Sequence, residues 1–148
     1  AKALAGEYDA IVIAAAGVHR LGLTAAITQY LPIEVMLPAP GQGALTVQCR
    51  AGDEAMLQRL RALDNAAVRS ATSAERAFLE GLGGGCAAPI AALGRVQGGR
   101  LHLLGLVASA DARERVLVAT EGPAGDGRHL GLALAAEARA RGAEALLA

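Results

Sequence analysis

Residues 90–121 read IAALGRVQGGRLHLLGLVASADARERVLVATE. Three strand-length segments stand out, Ile90 to Val96, Leu101 to Ser109 and Arg113 to Glu121, joined by turn signals at Gly98-Gly99 and Ala110-Asp111. This order predicts an antiparallel meander. On its amino-terminal side a helical pattern runs to Leu82, with Val68, Ala71, Phe78, Leu79 and Leu82 on one side and Glu75 and Arg76 available to the other. Gly83-Gly84-Gly85 stops that helix. On the carboxyl-terminal side Asp126 can cap a last helix toward Arg141, ended by Gly142. Helix, three strands and helix define an α+β unit from about Asn65 to the end.

Upstream the pattern changes. Tyr8 to Ala16 (YDAIVIAAA) is a continuous apolar run with β-branched residues, the signature of a strand buried on both faces of a parallel sheet, and Gly17 ends it. Val18 to Tyr30 is partly helical. Pro32, Pro38 and Pro40 then interrupt any long element before Gly41, so this stretch reads as a crossover or hinge. A second strand is expected from Ala44 to Cys49. Asp53 is placed to cap a helix with Met56, Leu57, Leu60 and Leu63 at helical spacing, ending near Asp64. A buried parallel strand needs neighbours on both sides, and residues 1–64 offer only one other strand across a proline-rich hinge. The rest of the sheet is therefore expected from a missing part of the chain or from a partner.

The 148 residues are 53% hydrophobic but 2% aromatic, so the core must be built from Ala, Val, Leu and Ile, which suits helices lying on a sheet. Acidic and basic residues balance at 14 each, which leaves no electrostatic footprint for nucleic acid or an anionic membrane. No apolar run approaches the roughly 18 residues that span a bilayer, and Ala1-Lys2-Ala3 lacks a signal-peptide layout; the reading is cytoplasmic. In that compartment Cys49 and Cys86 are not expected to form a structural disulfide.

Cys86 draws attention because it follows a helix and three glycines, where a thiol is reachable and its thiolate a strong nucleophile. A helix stop followed by a small buried hydrophobe fits the same spacing. Cys49 sits in the strand-like Leu45-Thr46-Val47-Gln48-Cys49 and reads as a packed apolar group. His19, His102 and His129 show no ligand spacing with either cysteine, so no metal is expected. Pro40-Gly41-Gln42-Gly43-Ala44 resembles a phosphate loop, but no Lys-Ser/Thr follows and a strand comes next. A hinge whose backbone approaches a ligand remains open there. Arg20 would lie just beyond the carboxyl end of the first strand, where open α/β sheets bind ligands, and could pair with a carboxylate. Asp9 reads as a strand-edge residue and Asp111 as a turn former. Glu75 and Arg76 could hold the helix before Cys86 in place.

Taken in order, several stretches resemble the porphobilinogen deaminase (hydroxymethylbilane synthase) family. They are Tyr8-Asp9-Ala10-Ile11-Val12, Ala16-Gly17-Val18-His19-Arg20-Leu21-Gly22-Leu23, Leu37-Pro38-Ala39 with Gly41-Gln42-Gly43-Ala44, Glu75-Arg76-Ala77-Phe78-Leu79, and Gly84-Gly85-Cys86 with Pro89-Ile90. The resemblance implies the carboxyl-terminal half of a three-domain transferase of tetrapyrrole (heme) biosynthesis. Such an enzyme polymerises four porphobilinogen molecules to hydroxymethylbilane with release of ammonia, and is a cytoplasmic monomer when complete. It implies a covalent dipyrromethane cofactor on Cys86, with Arg20, Gly85, Ala14 and Gln42 as further cofactor-binding residues. It implies that residues 1–38 end domain 2, 39–64 form the hinge and return segment of domain 1, and 65–148 form domain 3. The fold class is thus α/β (α+β): the end of a parallel-sheet two-domain cleft plus a small domain of helix, antiparallel sheet and helix. The family's catalytic aspartate has no counterpart here; it belongs to the missing amino-terminal half, so this chain alone is expected to be inactive. One departure is Ala87-Ala88, where the family usually has a polar and a β-branched residue. Read without the resemblance, the same elements also suit a non-enzymatic α+β small-ligand module or, less well, a cysteine hydrolase.

Overall fold

The single phenylalanine organises the core. Phe78 is fully buried on the helix α3 (Ala66–Gly81), directly over Gly105 in the middle of a three-stranded sheet. Any Cβ at Gly105 would overlap the ring, so this position must stay bare for the helix to lie on the strands. The computed structural model describes residues 2–3, 5–85 and 88–147. They fall into two units, Ala1–Met36 and Leu37–Ala148.

In the second unit, β1 (Ile90–Gln97), β2 (Arg100–Ala108) and β3 (Arg115–Pro123) form an antiparallel sheet in the order β1-β2-β3. Gln97 pairs with Arg100, which leaves Gly98 and Gly99 as a two-residue turn; both have positive φ, as the twist of a hairpin requires. Ala92, Gly105 and Val118 lie side by side in register and are all buried, and Leu101, Leu103 and Val107 continue the same face. The expected meander is thus present, with β3 starting at Arg115 rather than Arg113. The delay comes from the Ser109–Glu114 loop. There Asp111 accepts hydrogen bonds from the Ser109 hydroxyl and the Arg113 N–H, and these hold its carboxyl below the ordinary carboxylate value.

Two helices cover the inner face. Asn65 caps α3 by accepting from the N–H groups of Ala67 and Val68 at 3.0 and 3.1 Å. The helix α4 (Gly127–Ala140) crosses α3 where both present small residues. Gly131 lies against the carbonyl of Ala74 so closely that a Cβ there would overlap it. At the exposed edge of this crossing Arg128 donates to both oxygens of Glu80 at 2.7 and 2.8 Å. Asp126 stands at the start of α4 without a capping bond; a short 3-10 turn, Ala124–Asp126, leads in instead. Gly142, with φ of 92°, ends α4, and a short helix α5 (Ala143–Leu146) follows that the sequence pattern did not indicate. Its Ala143 is fully buried. The helix α2 (Glu54–Leu60) forms where expected, with Asp53 accepting from Met56 N–H, yet no side chain on it is buried.

Other expectations are corrected. Tyr8 to Ala16 pairs with no strand among the described residues, and Ile11, Val12 and Ile13 are exposed. The helix α1 (Ala15–Arg20) takes over its last residues and contains Gly17. Ala44 to Cys49 likewise forms no ladder, and Leu45 is 95% exposed. The cause is common to both: a strand's N–H and C=O groups need a neighbour, and the described residues supply none. On α3 two side chains trade places with the expectation. Val68 is 48% exposed, whereas Glu75 points inward and is 5% exposed.

Candidate functional site

The end of α3 shapes the site. Phe78 and Leu79 bury the helix as far as Leu82, and Gly83 then turns the chain with φ of 69°, its N–H bonded to Glu80 C=O and that of Gly84 to Leu79 C=O. Gly84 fits tightly, since a Cβ there would meet Leu79 and Ile90 side chains, at 2.8 and 2.5 Å respectively. Gly85, by contrast, faces open space. A cavity of about 560 Å³ opens beside these glycines. It is lined by Leu82, Gly83, Gly84, Gly85, Ala88, Pro89, Glu144 and Leu147. That volume lies within the usual range for small-ligand sites. Its walls are the helix stop, the residues leading into β1, and α5, which the sequence pattern does not indicate and which contributes Glu144, the one charged lining residue among those described.

Cys86, and Ala87 after it, lie outside the described residues. The residues flanking them in sequence, Gly85 and Ala88, both line the cavity.

Gln42 is exposed in a double turn, with its N–H bonded to Ala39 C=O and Ala44 N–H bonded to Gly41 C=O. Gly41 and Gly43 both have positive φ, 76° and 82°. Gln42 is not among the cavity-lining residues. In the first unit the structure brings Ala14 and Arg20 to the two ends of one short helix. Ala14 precedes α1 in extended conformation and accepts from Gly17 N–H; Arg20 is the last helical residue, exposed, and not at the end of a strand as expected. Leu21 N–H and Gly22 N–H bond to Gly17 and His19 C=O, closing the helix behind it. His19 Nε2 lies 2.7 Å from the Tyr30 hydroxyl, a pair that sequence spacing did not suggest. Cys49 is a half-buried free thiol. Among the described residues no cluster of His, Cys, Asp or Glu could hold a metal ion, and no helix is long and apolar enough to cross a membrane.

Residues 1–58 match the family profile "Porphobilinogen deaminase, dipyromethane cofactor binding domain", and residues 70–140 match "Porphobilinogen deaminase, C-terminal domain". Ala14, Arg20 and Gln42 thus fall in the first match, and Gly85 and Cys86 in the second. A porphobilinogen deaminase of Roseiflexus castenholzii is 48% identical over 143 residues, 97% of this chain and 47% of the relative. That of Synechococcus elongatus is 46% identical over 147 residues, 99% of this chain and 46% of the relative. That of Geobacter sulfurreducens is 43% identical over 142 residues, 96% and 45% respectively. The chain spans about half the length of the curated relatives it matches.

Proposed function

This chain belongs to the porphobilinogen deaminase family, and on that premise we propose that it is the cofactor-bearing part of an enzyme that joins four porphobilinogen molecules into hydroxymethylbilane, releasing ammonia at each addition. Cys86 carries the dipyrromethane cofactor through a thioether. The observation that carries this reading is the cavity beside Gly83–Gly85, lined by Gly85 and Ala88, which flank Cys86-Ala87 in sequence. Its size and its mixed wall, part apolar side chain and part exposed backbone, suit a pyrrolic group, and Gly85 borders open space.

The attachment chemistry fits a cysteine. Loss of ammonia from the protonated aminomethyl group of porphobilinogen leaves an electrophilic methylene; the Cys86 sulfur adds to it, so that a C–S bond replaces the C–N bond, and the thiol proton ends on the released ammonia as ammonium. A soft sulfur nucleophile does this readily, and the thioether survives turnover. Bound there, the cofactor supplies the primer on which the new chain grows. Arg20 pairs with an acetate or propionate group of the pyrroles, for which its planar fork is suited. The backbone at Ala14, Gln42 and Gly85 completes the contacts.

In this reading residues 1–38 end the second domain, 39–64 return to the first, and 65–148 are the third. The amino-terminal half supplies the catalytic aspartate and most carboxylate-binding cations, so this chain does not turn over by itself. The whole is a cytoplasmic monomer.

The test is an intact mass of the denatured chain after incubation with the amino-terminal half and porphobilinogen, followed by peptide mapping. The expected gain equals two porphobilinogen units less their ammonia, located on Cys86. Cys86→Ser abolishes the adduct and Cys49→Ser retains it. A bare Cys86 under these conditions sinks the reading.

A further inference from the structure

Glu75 is the one charged side chain buried among the described residues, and its partners are backbone groups from two separate segments. Its Oε1 accepts from Gly94 N–H in β1 at 2.7 Å, and its Oε2 accepts from Gly41 N–H at 2.6 Å. Gly94 is pressed against α3, where a Cβ would lie 2.9 Å from Ala71 Cα, so no side chain can stand between the carboxylate and this donor. Gly41 is different. It belongs to residues 37–43, outside the helix and sheet layers, at the start of the second unit. Among the described residues, a long-range backbone bond, Ala92 N–H to Pro38 C=O at 3.0 Å, also fixes this stretch.

Removing a carboxylate from water is costly unless its oxygens are satisfied, so a side chain needed only to pack α3 on β1 would be apolar. Two converging N–H donors explain the choice. A carboxylate accepts at both oxygens, whereas the isosteric carboxamide has a single acceptor oxygen and would turn its NH₂ toward one of the donors. Glu75 is also six residues, roughly 9 Å of helix rise, before Gly81, where α3 passes into the glycines of the cavity.

We propose that Glu75 is a positioning residue that tethers the Leu37–Gly43 connection to the α3–β1 layer. The stretch at which the second unit begins is thereby carried by the same helix that delivers the chain to Gly83–Gly85. The bearing of this tether on turnover rests on the deaminase reading, but the tether itself does not.

Amide hydrogen exchange in the ¹⁵N-glycine-labelled chain tests it, with Gly105 in β2 and Gly131 in α4 as internal measures of global stability. In Glu75→Gln the Gly41 amide is expected to lose protection roughly tenfold or more relative to Gly105 and Gly131, the scale of one hydrogen bond to a charged group. Gly94, held between α3 and its neighbouring strand, keeps its place. If the Gln variant does not fold, Glu75→Asp, which keeps the charge but shortens the reach, gives the same selective loss at Gly41. Unchanged protection at Gly41, or a fall only in step with Gly105 and Gly131, overturns the tether. A failure of the deaminase reading shows up elsewhere, in the mass of Cys86.

Discussion

Tyr8–Ala14 and β1 make an instructive pair. Both are short, rich in Ala and branched aliphatic residues, and carry one charge, yet β1 buries Ile90 and Ala92 while Ile13 of the other stretch is 60% exposed. The difference is not hydrophobicity. β1 has β2 at its edge, two residues of turn away, to take its backbone hydrogen bonds, and α3 above it to cover its face. Tyr8–Ala14 has no strand neighbour among the described residues. Apolar content therefore decides burial only after backbone pairing has been arranged, because an unpaired N–H or C=O taken from water costs as much as a lost hydrogen bond.

The largest expected effect sets the buried layer against an exposed apolar stretch directly. Phe78→Ala should cost about 3–5 kcal/mol in urea denaturation, since Gly105 beneath it has no side chain to fill the gap. Leu45→Ala, at a nearly fully exposed site, should change stability by less than about 0.5 kcal/mol. Comparable losses at the two sites would erase the distinction.

A second experiment asks what the exposed stretches are for. In the chain alone, amides of residues 8–14 and 44–49 should exchange close to free-peptide rates. Adding the amino-terminal half should slow them on the order of a hundredfold, as new strand pairs form. No gain in protection on adding that half would mean that these stretches are not strands awaiting their sheet.

The smallest effect concerns the surface of the ordered layer. Hydrogen bonding to Arg128, and then its charge, hold the Glu80 carboxyl below its ordinary value of 4.5. A carboxyl with a lowered value in the folded state adds stability above the unfolded value and loses it as pH falls through the folded one. The difference in melting temperature between the native chain and Glu80→Gln should thus be small but constant above about pH 4.5 and shrink below it. A difference that grows on acidification would refute the assignment. Both groups are exposed and the effect should fade with added salt.

Much of the ordered layer was legible because its signals are local. Gly98-Gly99 dictates a two-residue turn whatever surrounds it, and Gln97 opposite Arg100 follows. Asp53 caps α2, and Asp111 builds its turn, from their own side-chain oxygens. The glycines after α3 stop it, and Gly142 stops α4. Glu75 departs from its periodicity for a physical reason. Helical spacing puts it next to the apolar stripe, and a charge there is assigned outward unless its partners are known; those partners, Gly41 and Gly94, lie 34 and 19 residues away. Glu144 carries no signal in the sequence because α5 is a single turn without a periodic pattern.

By itself the sequence determined the meander, the two helices packed on it, the glycines that stop them, and the family, since these rest on turn chemistry, periodicity and ordered motifs. Tertiary structure alone decided which apolar stretches are buried, that Glu75 turns inward to two backbone donors, and that α5 forms one wall of the open cavity beside Gly83–Gly85. Each of those depends on groups brought together across the chain, and such proximity leaves no mark on local spacing.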